Sequence, residues 1–344
     1  MAQQQRIISG DSGRRSIKII NENMEKIEIE ARHGLVNFSK SKRSPFAMFN
    51  AKNDIIAAVD GGAANVYGKF TEIMLAPEQI LHVTTDEIYL EYARNYVLNG
   101  LGRAVEDGED VVFAGNLTTN NFKFVDGFVS SILGKHRVEY YNPKGEVIAT
   151  KNFNITNAVI IPQGQSSLMD CAIRDDLSYD EKYFRQGIVV DLGRRTVCVL
   201  LVNKLNILKD KSFDHMDGVG METLYHLIRE ELQENHGIRL SNYDIERIIM
   251  NNETLKDKAG TVMDFASIKM RAVAETSERI KNAVVEHFGE YHPDFVILTG
   301  GGVHLMGKLL QAIFPNSEIL ADPVWSNARG LEKLSLKGLR KKPA

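Results

Sequence analysis

Two short segments of the sequence carry the residues best suited to chemistry, and they echo one another. Residues 10–20 read G-D-S-G-R-R-S-I-K-I-I and residues 190–200 read V-D-L-G-R-R-T-V-C-V-L. Asp11 and Asp191 each open a D-x-G-R-R-[S/T] pattern that runs into an apolar, β-rich stretch. Gly13 and Gly193 let the backbone approach a ligand without a Cβ in the way. Successive N–H groups in a tight turn form an anion-binding concavity, and Ser16 and Thr196 add hydroxyl donors. A carboxylate beside a phosphate makes sense when a divalent cation stands between them, and Mg²⁺ is held mostly through water. Asp11 and Asp191 are therefore the expected metal-orienting residues, acting through water. Ser12, Arg14, Arg15, Lys18, Leu192, Arg194 and Arg195 complete the candidate binding loops. One such loop alone reads as a plain hairpin turn. Two copies of the same six-residue pattern, each behind an apolar strand, argue for a phosphate chain gripped from two sides.

A third glycine segment stands near the C-terminus. Val296-Ile-Leu-Thr-Gly300-Gly301-Gly302-Val303 reads as a strand ending in glycines before a helix. Such a junction admits a flat ligand and offers helix N-terminal N–H groups. Neither G-x-x-x-x-G-K-[ST] nor G-x-G-x-x-G occurs there, so it is neither a P-loop nor a dinucleotide fingerprint.

These loops need strands to position them. The apolar runs predict strands at 6–10, 17–20, 55–59, 65–68, 111–114, 137–141, 146–150, 158–161, 188–190, 197–202 and 295–298. Asp60-Gly61-Gly62 is a hairpin turn signal. Thr84-x-x-Glu87 is a capping-box pattern ahead of a helix to about Glu106, with Tyr89, Ala93, Tyr96, Val97, Leu101 and Ala104 on one face. A second long helix is expected around 264–288. An internal echo of domain size predicts two similar lobes.

The chain has 344 residues, 43% of them apolar and 25% charged, which suits two ordinary globular domains. With 42 basic against 45 acidic residues, the net charge of −3 gives no general pull towards nucleic acid. The two cysteines, Cys171 and Cys198, exclude a disulfide scaffold and a cysteine-rich zinc site. No apolar stretch approaches the ~18 residues of a membrane span. The opening Met1-Ala-Gln-Gln-Gln-Arg6 lacks a signal peptide's apolar core, so the expected compartment is the cytoplasm.

Taken together, the three loops resemble the actin, heat-shock chaperone and sugar-kinase superfamily. Within it the chain is most similar to prokaryotic actin-like proteins of the plasmid-segregating ParM type. Val112-Phe-Ala-Gly-Asn116-Leu117 stands where those proteins carry a strand ending in Gly-Leu-Pro. Val159-Ile-Ile-Pro-Gln163-Gly164 is similar to their connecting turn, and Asn327-Ala-Arg-Gly330 to their closing Ala-Asn-x-x-Gly helix. The resemblance implies an α/β, two-lobed actin-like (ribonuclease H-like) fold with a nucleotide cleft between lobes. It places lobe I at 1–165 plus 323–344, with an insertion near 27–80, and lobe II at 166–322, with an insertion near 212–265. It implies ATP (or GTP) with Mg²⁺, and Gln163 as the residue that positions the attacking water, with Asp191 as its catalytic companion. Gly218, Gly300, Gly301 and Gly302 are implied as nucleotide contacts. Gln163 also reads as an ordinary exposed turn residue. The paired arginines depart from the small or hydroxyl residues usual at those positions; they either reach the phosphates or point to solvent. Asn116 and Thr118, without a proline, are a second departure.

The resemblance implies self-association into filaments coupled to hydrolysis, an adaptor protein that binds DNA, and a role in plasmid segregation. Organelle positioning or cell shape is an alternative cytoskeletal role. A small-molecule kinase of the same superfamily is the enzymatic alternative and needs a carboxylate base in the cleft. A scaffold that holds nucleotide without turnover is the non-enzymatic one.

Overall fold

The computed structural model describes residues 6–13, 16–21, 23, 25–38, 49–50, 54–68, 70–81, 86–119, 121–194, 197–208, 212, 219–257 and 259–340. Arg14, Arg15, Thr84, Arg195, Thr196 and Gly218 lie outside the described residues.

The chain forms two compact units, Met1–Tyr179 with Asn327–Ala344, and Asp180–Ser326. The strands of the first unit are β1 (Arg6–Ser12), β2 (Ser16–Ile20), β3 (Lys26–Glu30), β4 (His33–Leu35), β5 (Ile55–Val59), β6 (Asn65–Tyr67), β7 (Glu109–Leu117), β8 (Gly134–Tyr141) and β9 (Val147–Pro162). Its helices are α1 (Thr71–Met74), α2 (Asp86–Ala104), α3 (Val125–Ile132) and α4 (Gln165–Ala172). The second unit holds β10 (Gln186–Leu192), β11 (Val197–Asn203), β12 (Asn206–Ile207), α5 (Met221–His236), α6 (Asn242–Asn251), α7 (Phe265–Phe288), β13 (Phe295–Thr299), α8 (Val303–Ile313) and β14 (Ser317–Ile319). The closing helix α9 (Ser326–Arg340) returns the chain to the first unit.

The sheets explain the sequence echo. The first has the order β3-β2-β1-β7-β9-β8-β5-β6-β4, and the second β12-β11-β10-β13-β14. In each, a three-strand antiparallel meander is followed by two parallel neighbours: β1 with β7 and β7 with β9, then β10 with β13 and β13 with β14. The hairpin registers agree too. Asp11 faces Lys18 across β1–β2, and Asp191 faces Cys198 across β10–β11, the same separation in both. A one-residue slip would exchange the two sets of side chains between the faces of the sheet. Both faces of Ile17–Ile20 and Val197–Val202 are buried, so such a slip would misfit close-packed side chains on either side.

Helix α2 forms because Ala93, Val97, Leu101 and Ala104 recur at helical spacing; they pack with Ile8, Ile17, Ile19 and Phe113 under the first sheet. Removing a side chain such as Leu101 costs about 2–5 kcal/mol by the usual cavity effect. The second core gathers Val190, Leu192, Val199, Leu224, Ile228, Ile280 and Leu298. Helix α6 starts at a complete capping box, Ser241 with Asp244, and α5 stops at the left-handed Gly237.

Two details differ from the sequence expectation. The segments 146–150 and 158–161 are parts of one strand, β9, whose first half pairs with β8 and second half with β7. Its polar middle hid that continuity, although Asn152 and Asn154 are anchored there by Asp107 and Asp110. The first unit also extends past residue 165. Helix α4 packs so tightly on α9 that a Cβ on Gly330 would overlap the Ser166 carbonyl oxygen. Arg329 forks onto Asp170 with contacts of 3.1 and 2.5 Å.

Candidate functional site

In the first unit, β1, β7 and β9 run parallel and end together, with Gly10 beside Gly115 and Leu117 beside Pro162. The carboxyl ends of parallel strands are where open α/β sheets bind ligands. Asp11 is 4% exposed, and its Oδ2 lies 3.7 Å from the Lys18 ammonium. Its Oδ1 is buried without a hydrogen-bond partner among the described residues. A buried carboxylate oxygen left unmatched is costly, so this atom fits a role towards a hydrated cation. Gly13 is cramped: a Cβ there would stand 3.1 Å from the Ser16 carbonyl oxygen.

The hydroxyls of this loop are already engaged. Ser16, expected to serve a phosphate, instead donates to Glu28 on β3 at 2.5 Å, because it is fully buried in the sheet. The Ser12 hydroxyl donates to the Asn116 carbonyl at 2.8 Å, and the Ser12 N–H donates to Asn116 Oδ1 at 3.3 Å. Gln163 follows β9 directly. Its N–H donates to the Leu117 carbonyl at 2.7 Å, and Gly164, at φ 80°, starts α4. Its side chain is partly exposed at the same strand ends as Asp11.

In the second unit, Asp191 is buried beside Thr299 of β13. Gly193 N–H donates to the Asp191 carbonyl at 3.1 Å, closing the turn. The third glycine segment is built into this loop. Gly302 N–H donates to the Leu192 carbonyl at 2.9 Å, and Gly300 N–H donates to the Pro323 carbonyl at 3.1 Å. Gly300 has φ 84°, and a Cβ on it would strike Asp191 Oδ1 and sit 2.6 Å from the Leu192 carbonyl oxygen. Gly301 faces open space. Leu192 itself sends its side chain into the core. Gly300–Gly302 and Asp191–Gly193 therefore form one assembly, in which glycine is demanded by contact as well as by conformation.

Arg194 takes neither of the two directions open from the sequence. Its guanidinium lies 3.1 Å from Glu246 on α6, a carboxylate that is 6% exposed, and its carbonyl accepts from Glu222 N–H at the start of α5. The second loop is thus tied to both helices of the predicted insertion.

Sequence reasoning missed a buried polar chain behind Gln163. Asn116 Nδ2 donates to Ser166 Oγ at 3.2 Å. Ser166 and Ser167 hydroxyls then donate to Asn327 Oδ1 at 2.6 and 2.8 Å, and Gly164 N–H donates to the same oxygen at 3.3 Å. The departure at Asn116 was the available signal. On α9, burial pushes the Glu332 carboxyl up to about 7.

Among the described residues, no group of three His, Cys, Asp or Glu side chains is placed to cage a metal. Mg²⁺ held by phosphate oxygens and water needs no such cage. No helix among them is long and apolar enough to cross a membrane.

Two α/β units built on one five-strand pattern, each with an Asp-Gly hairpin, define an actin-like fold. Residues 189–312 match the family model of the archaeal actin homologue MreB-like proteins, C-terminal part. The chain is similar to the archaeal actin homolog Ta0583 in its complex with ADP, with 17% identity, a TM-score of 0.75, and 97% of this chain and 100% of that one covered. It is similar to the apo ParM protein of pSK41, with 17% identity, a TM-score of 0.73, and coverage of 99% and 100%. It is also similar to ParM in a 15-stranded filament from Clostridium botulinum, with 16% identity, a TM-score of 0.73, and coverage of 98% and 100%. No curated protein matches by sequence. The two-lobed class expected from the three loops is therefore the fold of this chain.

Proposed function

We propose that the chain is a filament-forming, actin-like ATPase that binds one ATP (or GTP) with Mg²⁺. The observation that carries this reading is the repeated hairpin. Asp11 and Asp191 occupy the same register position of the same five-strand pattern, with Gly13 held close to the Ser16 carbonyl in the first hairpin and Gly300 packed against Asp191 and Leu192 in the second. The ADP bound by one similar structure and the filament formed by another support nucleotide binding and self-association.

In this reading Asp11 and Asp191 orient the water shell of Mg²⁺, which when bound neutralises phosphate charge. Lys18 adds a cation beside Asp11. Backbone N–H groups of the two hairpins receive phosphate oxygens, and the open Gly301 admits the flat base. Gln163 positions the attacking water, so catalysis is mostly orientation and electrostatics. Loss of the terminal phosphate then weakens subunit contacts. Filaments arise because head-to-tail contacts that do not close propagate. Plasmid segregation with a DNA-binding adaptor is the biological role we assign, on likeness of fold.

The test is light scattering of purified protein with ATP or GTP and Mg²⁺, run beside phosphate release. Both signals are expected to rise with one nucleotide. No scattering across a wide protein range defeats the filament, and phosphorylation of an added metabolite without scattering favours a kinase.

A further inference from the structure

Asn116 stands where the strand-ending turn would otherwise carry Gly-Leu-Pro, and both the oxygen and the nitrogen of its amide are engaged. The side chain is 2% exposed. Its oxygen accepts from the Ser12 N–H of the first hairpin, and its nitrogen donates to Ser166 Oγ in the first turn of α4. The Ser166 hydrogen passes on to Asn327 Oδ1, which also receives the Gly164 N–H, the amide that directly follows Gln163. Donor and acceptor roles run one way along the chain: Asn116 gives to Ser166, and Ser166 gives to Asn327. Ser166 is fully buried and Asn327 nearly so. In such a setting an unmade hydrogen bond is costly, so the chain favours one geometry rather than several.

The ends of this chain matter. One end is the backbone of Ser12, next to Asp11 and Gly13. The other is the turn that sets where Gln163 points, since Gly164 holds a left-handed φ of 80° that few other residues adopt. Asn327 fastens the same turn to the closing helix α9.

We propose that Asn116 is a positioning residue, holding the first hairpin and the Gln163 turn in fixed mutual register through Ser166 and Asn327, so that a shift of the hairpin when its anionic ligand changes is passed to Gln163 and to α9. The proposal rests on the nucleotide-hydrolysing reading above for its catalytic consequence, and on this structure alone for the linkage.

Ser166→Ala and Asn116→Leu separate the two. Ser166→Ala cuts the link on the α4 side and leaves Ser12 on Asn116. Single-turnover hydrolysis of Mg-ATP is expected to slow about tenfold, with the Kd for ADP changed by less than about twofold. Asn116→Leu removes both contacts and is expected to weaken ADP as well. Hydrogen exchange is measured in parallel on nucleotide-free protein. Amides around 163–168 are expected to exchange about fivefold or more faster in both variants, while β13 in the second unit keeps wild-type protection. Unchanged exchange at 163–168 overturns the linkage, whatever the turnover. Faster exchange with turnover unchanged in Ser166→Ala overturns the positioning role. Should Asn116→Leu fail to fold, Ser166→Ala, which adds no volume, decides both points. A wild-type chain that neither binds nor hydrolyses Mg-ATP refutes the functional reading, and the nucleotide-free exchange still decides the linkage.

Discussion

Glu332 offers a quantitative test of how α9 is seated. It follows Leu331, which packs with Ile7 and Ala114, and is itself 6% exposed. Burial raises its carboxyl from about 4.5 to about 7, against the opposing pull of the neighbouring Lys333. A raised folded-state pKa means that the folded protein holds this proton more tightly than the unfolded chain. Below pH of about 4.5 the carboxyl is neutral in both states, and its burial is tolerated. As pH rises towards about 7, stability is lost, and above that the full penalty applies. The span corresponds to about 3 kcal/mol at 1.36 kcal/mol per pH unit. Glu332→Gln keeps the shape and removes the titration. For a unit of this size that is a melting temperature about 5–10 °C above wild type at pH 8.5, shrinking to little difference near pH 4.5. The assay is a pair of thermal melts followed by circular dichroism across that range. Equal melting temperatures at pH 8.5 would refute the burial argument, as would a wild type that gains stability relative to Glu332→Gln as pH rises.

The other substitutions test the loops. Gly300→Ala places a methyl against the Leu192 carbonyl at a φ of 84°; about 1 kcal/mol of backbone strain and 1–3 kcal/mol of overpacking are expected. ADP affinity is expected to fall about tenfold or more, and calorimetry checks it. Gly330→Ala drives a Cβ into the α4 backbone, within 2.8 Å of the Asp170 nitrogen; urea unfolding is expected to show a loss of at least about 1–3 kcal/mol. Arg194→Ala removes the guanidinium beside buried Glu246 and is expected to cost about 1–3 kcal/mol. Adding Glu246→Gln should recover part of that, and additive losses in the double mutant would refute the pairing.

Much of the hairpin architecture was legible because its constraints are local. D-x-G-R-R-[S/T] before an apolar run specifies strand, turn and strand from neighbouring residues, and the repetition of the pattern specified two units. Asp60 and Gly61 adopt the left-handed conformations that their turn signal implied. Other features were hidden because they depend on tertiary partners. Nothing adjacent to Ser16 indicates that its hydroxyl meets Glu28, a contact made only when β2 and β3 pair. Arg194 reads as a phosphate ligand or a solvent-facing cation until α6 supplies Glu246. The Asn116–Ser166–Asn327 chain joins residues far apart in sequence, and although Asn116 and Asn327 each stand out, nothing local links them to one another or to Ser166. Helix α4 reads as the start of the second lobe until Gly330 shows how closely α9 lies against it.

The central claim is that both hairpins serve one nucleotide. Isothermal titration of ADP into wild type, Asp11→Ala and Asp191→Ala, with and without Mg²⁺, tests it most directly. One site per wild-type chain is expected, tighter with Mg²⁺, with about a tenfold or greater loss of that Mg²⁺-dependent gain in each variant. Binding that keeps its full Mg²⁺ dependence in either variant, or two independent sites per chain, would contradict it.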